Sequence, residues 1–123
     1  MSDEPLILVA DDSAEAREYL AEILKSAGYR VIRAIDGGSA VKVVLDHDVS
    51  VAIIDYFMSP HGGFDFAKEI RSRDIHIPMI MVTNEETSDL LIEITRFGIQ
   101  NFLRKPVEPD RLLTSVKRAL RIS

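Results

Sequence analysis

Apolar runs alternate with helical periodicity from one end of the chain to the other. Leu6-Ile7-Leu8-Val9-Ala10 is apolar at every position, the pattern of a strand buried on both faces. Ser13 then offers an N-cap, Glu15 adds acid to a first helical turn, and Gly28 can close the helix. Between them Tyr19, Leu20, Ile23, Leu24 and Ala27 fall on one face. Arg30 to Ile35 alternates as a second strand, Asp36-Gly37-Gly38 reads as a turn, and Ala40, Val41, Val44 and Leu45 stripe a second helix. Val49 to Asp55 is a third strand, again apolar on both faces. After the loop Ser59-Pro60-His61-Gly62-Gly63, Phe66, Ala67 and Ile70 mark a third helix. Pro78 to Thr83 is a fourth strand, and Leu90, Leu91, Ile94 and Phe97 line a fourth helix that Gly98 ends. Asn101 to Arg104 is a short fifth strand. Pro109 suits the first position of a last helix, which packs through Leu112, Leu113, Val116, Ala119 and Leu120.

Five βα units without a break call for an α/β fold, a parallel sheet with helices on both faces. A length of 123 residues fits one such domain with one real core. The sequence contains no internal repeat, linker or low-complexity segment. The domain is therefore expected to span residues 1–123.

Composition changes this picture mainly by exclusion. Hydrophobic residues make up 46% and charged residues 28%, an ordinary globular balance. The absence of cysteine removes disulfides, zinc–thiolate sites and thiol catalysis, and fits a reducing, cytoplasmic setting. Met1-Ser2-Asp3-Glu4-Pro5 lacks the basic and apolar regions of a signal peptide, and no apolar stretch approaches the roughly 18 to 20 residues that span a bilayer. No membrane partner is expected. A net charge of −5 argues against direct nucleic-acid binding through bulk charge. Arg111, Lys117, Arg118 and Arg121 read as a solvated face of the last helix. His47, His61 and His76 share no ligand spacing and read as loop and surface residues, and the four methionines as core filler.

The chemistry lies where the apolar runs stop. Asp55 and Thr83 end predicted strands, and Asp11-Asp12 and Lys105-Pro106 directly follow them. In a parallel sheet these points share one edge, where open α/β sheets bind ligands. A phosphate or flavin binder would present a Gly- or Ser/Thr-rich turn after the first strand, so that bare N–H groups meet the anion. Two carboxylates stand there instead, and they suit a hard divalent cation such as Mg²⁺. Taken alone, Asp11-Asp12-Ser13 is an acidic turn with a helix cap, and Asp55 a strand-end cap. Three converging acids repel one another unless a cation joins them. A carboxylate can attack phosphorus. The Thr83 hydroxyl can bond a phosphoryl oxygen, and Lys105 can offset the charge that develops on it. A cis peptide before Pro106 would aim the lysine inward.

These residues, at this spacing, resemble the receiver domain of the two-component response-regulator family, and the resemblance covers essentially the whole chain. It implies a flavodoxin-like, doubly wound sheet of five strands in the order 2-1-3-4-5, flanked by five helices. It implies a phosphorylation-dependent signalling switch that accepts a phosphoryl group from a histidine kinase or histidine phosphotransfer protein. Asp55 would be the phosphoacceptor. Asp12 would bind Mg²⁺ directly and Asp11 largely through water, with the Phe57 backbone carbonyl completing the protein ligands. Thr83 and Lys105 would hold the phosphoryl group, and Phe102 matches the aromatic switch position that turns inward with Thr83. The domain would catalyse only its own phosphorylation and dephosphorylation. Its readout surface would be the fourth helix, fifth strand and fifth helix, Glu86 to Ile122, facing a downstream protein or output domain. No output domain is expected within the chain.

Four positions depart from the family pattern. Ser59 stands where a proline usually follows Met58, and Pro60 comes one later. Phe57 is bulky and apolar where polar residues are frequent. Asn84 replaces a small residue beside the phosphodonor's path, and Ile99 follows Gly98 where alanine is usual. Three competing readings remain. An interaction module that takes no phosphate would have lost acids or the lysine. An aspartyl phosphatase would carry a second acid at the position of Phe57. A flavin carrier would not begin with an acidic turn.

Overall fold

Burial on both faces is what the continuous apolar runs demand, and the computed structural model, which describes residues 4–84, 88–99 and 101–122, meets that demand with a central sheet. The strands are β1 (Leu6–Ala10), β2 (Arg30–Ala34), β3 (Val51–Asp55), β4 (Met79–Thr83) and β5 (Asn101–Arg104). The helices are α1 (Ala14–Ser26), α2 (Gly37–Asp46), α3 (Gly63–Ser72), α4 (Ser88–Arg96) and α5 (Pro109–Ile122). Every strand pair is parallel, in the order β2-β1-β3-β4-β5. The expected strand order and flanking helices are therefore present.

Strand alternation divides the core in two. Leu8, Ala10, Ala52, Ile54, Met79 and Met81 face one side, where Ala40, Val44, Phe66, Ile70 and Leu90 cover them. Ile7, Val9, Val51, Ile53, Ile80 and Val82 face the other, against Leu20, Leu24, Leu112, Val116 and Ala119. Met58, Met79 and Met81 are buried core residues, as expected, and Met1 lies outside the described residues.

Helix starts follow local chemistry. The Ser13 hydroxyl accepts from the Ala16 N–H and caps α1, which Gly28 follows at φ +93°. Asp36-Gly37-Gly38 differs from the turn expected of it. Asp36 caps α2 through the Ser39 N–H at 2.8 Å, and both glycines lie inside the helix's first turn. The cap outweighs the turn propensity of the glycines. β3 also starts two residues later than expected, at Val51.

Arg71 fastens the far end of the fold. Its guanidinium donates to the carbonyls of Ile75 (2.9 Å), Ile77 (3.2 Å), Phe97 (2.9 Å) and Gly98 (3.2 Å). One side chain thus ties the α3–β4 connection to the C-terminal end of α4. Burial lowers its pKa, but the fork of donors keeps four carbonyls satisfied. Arg71→Leu is expected to lower stability by about 2 kcal/mol in chemical denaturation. Arg71→Lys should recover little of it, since an ammonium cannot reproduce the fork. An unchanged midpoint in Arg71→Leu would remove this role.

Candidate functional site

Sheet register brings four strand ends to one edge. Ala10 lies opposite Ile54, so Asp11 and Asp55 continue neighbouring strands. The Asp11 N–H donates to the Ala34 carbonyl at 3.2 Å, holding the residue in the extension of β1. Asp55 ends β3 opposite Val82, and the Tyr56 N–H donates to the Val82 carbonyl at 2.8 Å. The Lys105 N–H donates to the Thr83 carbonyl at 2.8 Å, carrying the β4–β5 ladder one step past β5. The backbone therefore fixes all four positions before any side chain is considered.

Glycine lets α3 close on this edge. The Gly63 N–H donates to the Tyr56 carbonyl at 3.0 Å, and a Cβ on Gly63 would stand 2.9 Å from the Asp55 carbonyl oxygen and against the Met81 sulfur. A Cβ on Gly62 would collide with the Tyr56 carbonyl oxygen. Close approach, rather than a special backbone angle, is the requirement here.

The side chains meet as a charge cluster. Lys105 Nζ donates to Asp11 Oδ2 at 2.9 Å and to Asp55 Oδ2 at 3.4 Å. Asp11 is fully buried, and its other oxygen accepts the Ser13 N–H at 2.9 Å. Asp12 is exposed, and its Oδ2 accepts the Ser59 N–H at 3.3 Å. Asp55 is buried, with the Phe57 N–H 3.4 Å from its Oδ1. Burial and then the Asp11 charge push the Asp55 carboxyl up to about 6, although Lys105 pulls the other way. Burial works against the Lys105 ammonium, yet its hydrogen bond to Asp11 and the two carboxylate charges leave its pKa raised.

One carboxylate oxygen from each of Asp11, Asp12 and Asp55 lies within 4.8 Å of the others. This donor set is all oxygen, anionic and open to solvent at Asp12, which is the chemistry of a hard divalent cation. Thr83 is fully buried at the end of β4. Phe102 on β5 is half-buried against the core face shared by Met81 and Leu90. Lys105-Pro106 and Ser59-Pro60 are both cis peptides.

Several features were not legible in the chain. Tyr19, expected on the packed face of α1, is 46% exposed, and its hydroxyl donates to the Val107 carbonyl at 2.7 Å. It thereby joins α1 to the segment after Lys105. Arg17 donates to the Asp11 carbonyl at 2.9 Å, and Ser59 supplies an N–H that proline at its position would lack. Only the Ser59 departure carried a sequence signal.

Phe57 is 51% exposed, with its ring edge-on to Tyr56 at 4.7 Å. Asn84 is exposed and lines a groove of about 530 Å³ with Ser13, Glu15, Tyr19 and Lys105. Ile99 is buried in the core, so the larger residue is accommodated. His47, His61 and His76 are exposed, as expected.

Residues 7–117 match the profile of the response regulator receiver domain. The two-component response regulator ORR3 of Oryza sativa is 34% identical over 110 residues, covering 87% of this chain and 84% of that protein. The phosphate regulon transcriptional regulatory protein PhoB of Pseudomonas aeruginosa is 29% identical over 117 residues, or 94% of this chain. The chain spans 51% of that regulator's length. Among solved structures, the chemotaxis protein CheY4 of Vibrio cholerae superposes with a TM-score of 0.89 at 31% identity, covering 95% of this chain and 99% of its own.

Proposed function

Because this chain belongs to the response regulator receiver family, whose domains serve two-component systems as phosphorylation-dependent switches, we propose that Asp55 is its phosphoacceptor. The observation that carries the reading is the Lys105 ammonium bridging Asp11 and Asp55 at the carboxyl edge of the sheet. An Asp55 oxygen attacks phosphorus, the bond from phosphorus to the donor's imidazole nitrogen breaks, and the product is an aspartyl phosphate. Asp11, Asp12, Asp55 and the Phe57 backbone carbonyl would hold Mg²⁺, which when bound offsets charge on the phosphoryl oxygens. Thr83 hydrogen-bonds the incoming group through its hydroxyl. Lys105 exchanges part of its hold on Asp55 for a phosphoryl oxygen. The domain catalyses its own phosphorylation and dephosphorylation and no other turnover.

The new charge shifts a two-state equilibrium in which Thr83 and Phe102 move together. Receiver domains interact with histidine kinases and downstream output domains. Here the donor is a histidine kinase or phosphotransfer protein in the cytoplasm, and the readout face is α4, β5 and α5. Glu86, where that face was expected to begin, lies outside the described residues. Among the described residues no helix is long and apolar enough to cross a membrane.

Incubation with Mg²⁺ and acetyl phosphate, followed by intact-mass measurement, tests the reading. A gain of one phosphoryl group supports it. No adduct from any donor moves the assignment to an interaction module that takes no phosphate. The exposed Phe57 ring narrows the approach of hydrolytic water, so Phe57→Asn is expected to shorten the phosphoryl half-life several-fold after labelling. Equal half-lives would end that idea.

A further inference from the structure

Tyr56 immediately follows Asp55, and its backbone is pinned on both sides. Its N–H is bonded to Val82 and its carbonyl to Gly63. The side chain therefore leaves a fixed point and reaches a different element. Its hydroxyl donates to Glu93 Oε2 on α4 at 2.7 Å, across 37 residues of sequence, and both residues are half-buried. One turn further along the helix, Phe97 packs edge-on against Phe64 of α3 at 5.2 Å. Beyond that, Arg71 holds the Phe97 and Gly98 carbonyls. Among the described residues these three contacts fasten α4 and the residues just past its end to the β3–α3 side. Only the Tyr56 contact begins at the residue beside Asp55.

We propose that the Tyr56–Glu93 hydrogen bond tethers α4 to the end of the phosphoacceptor strand and couples the state of the Asp55 site to that helix. The tether runs through β3 and the α3 side, so it is a route separate from Thr83 and Phe102, which lie on β4 and β5. It rests on the reading of Asp55 given above, and it adds to that reading a positioning residue, Tyr56. A short hydrogen bond from a phenol to a carboxylate is charge-assisted and therefore stronger than most. When the β3–α3 loop adjusts around a phosphorylated Asp55, the Tyr56 ring shifts and the bond to α4 is released.

Hydrogen exchange of residues 88–99, measured by mass spectrometry with and without Mg²⁺ and acetyl phosphate, tests the tether. Wild type, Tyr56→Phe and Glu93→Gln are compared. Without donor, Tyr56→Phe is expected to exchange on the order of tenfold faster in this segment, the factor that loss of one charge-assisted hydrogen bond brings. α1 and α5 should stay unchanged. Glu93→Gln keeps a neutral acceptor for the phenol and should exchange at a rate between wild type and Tyr56→Phe. On phosphorylation the wild-type segment should approach the Tyr56→Phe level, while Tyr56→Phe itself changes little. Equal exchange in unphosphorylated wild type and Tyr56→Phe would overturn the proposal, and so would responses of equal size to phosphorylation. Wild type that gains no phosphoryl mass counts against the function proposed above. The comparison without donor then still decides the tether.

Discussion

Lys105→Met will lower the stability of the metal-free protein at neutral pH by about 3 kcal/mol. The reason lies in what the ammonium leaves behind. Asp11 and Asp55 are both buried, and Lys105 is the cation that hydrogen-bonds both. Methionine replaces the stem's volume but leaves two like charges facing each other with reduced solvation. Two recoveries should follow from that cause. Acidification protonates Asp55, and Mg²⁺ supplies another cation at the same oxygens. Phosphoryl uptake from acetyl phosphate should also slow by about 100-fold, the usual effect of deleting one donor to a developing oxyanion. Urea denaturation at neutral and acid pH, with and without Mg²⁺, reads the stability. A variant as stable as wild type at neutral pH would show that the bridge does not neutralise the pair.

Asp55→Asn will abolish the gain of one phosphoryl mass, since an amide has no anionic oxygen to attack phosphorus. The same variant will be more stable than wild type in metal-free buffer at neutral pH, by on the order of 2 kcal/mol. The sign follows from the direction of the shift. The Asp55 carboxyl is pushed up from 3.8 to about 6, first by burial and then by Asp11. A fold that raises an acid's pKa favours its protonated form. The contribution of Asp55 is therefore fully present below about 4, declines as the pH climbs, and is lost once the pH passes about 6. Asparagine removes that loss, so the two proteins should agree near pH 4 and diverge toward pH 7. Mg²⁺ should narrow the gap by stabilising wild type. A stability difference that stays flat between pH 4 and pH 7 would contradict the assigned cause, whatever the labelling result.

Much of this architecture is written in short stretches of chain. The runs from Leu6 to Ala10 and from Val51 to Ile54 are apolar at every position, and both strands are buried on both faces. Ser13 caps α1 and Pro109 opens α5 where their side-chain chemistry directs. The residues at the carboxyl ends of the strands could be named before their geometry was known. Each follows an apolar run, and a parallel sheet collects such positions at one edge. Tyr19 is different. Its position on the apolar stripe pointed inward, yet it sits at the margin, where its ring is half-covered and its hydroxyl reaches Val107. Asp36-Gly37-Gly38 differs for a local reason, because the aspartate cap competes with the turn and wins.

The sequence by itself determined which strands are buried, in what order the elements come, and which reactive groups end the strands, though Tyr19, Leu45 and Leu91 on the helical stripes lie at the exposed margin. Those properties depend on each residue's own environment and its near neighbours, and periodicity reports them. Tertiary structure alone decided the pairings. Lys105 joins Asp11 across 94 residues, Tyr56 joins Glu93 across 37, and Arg71 joins Phe97 across 26. Such partners are chosen by strand order and by the crossing of helices over the sheet, and no local pattern carries that information. The acidic edge was visible in the chain. The lysine at that edge was visible too, but its bridge between Asp11 and Asp55, and the tyrosine that links the edge to α4, emerged only once the sheet was assembled.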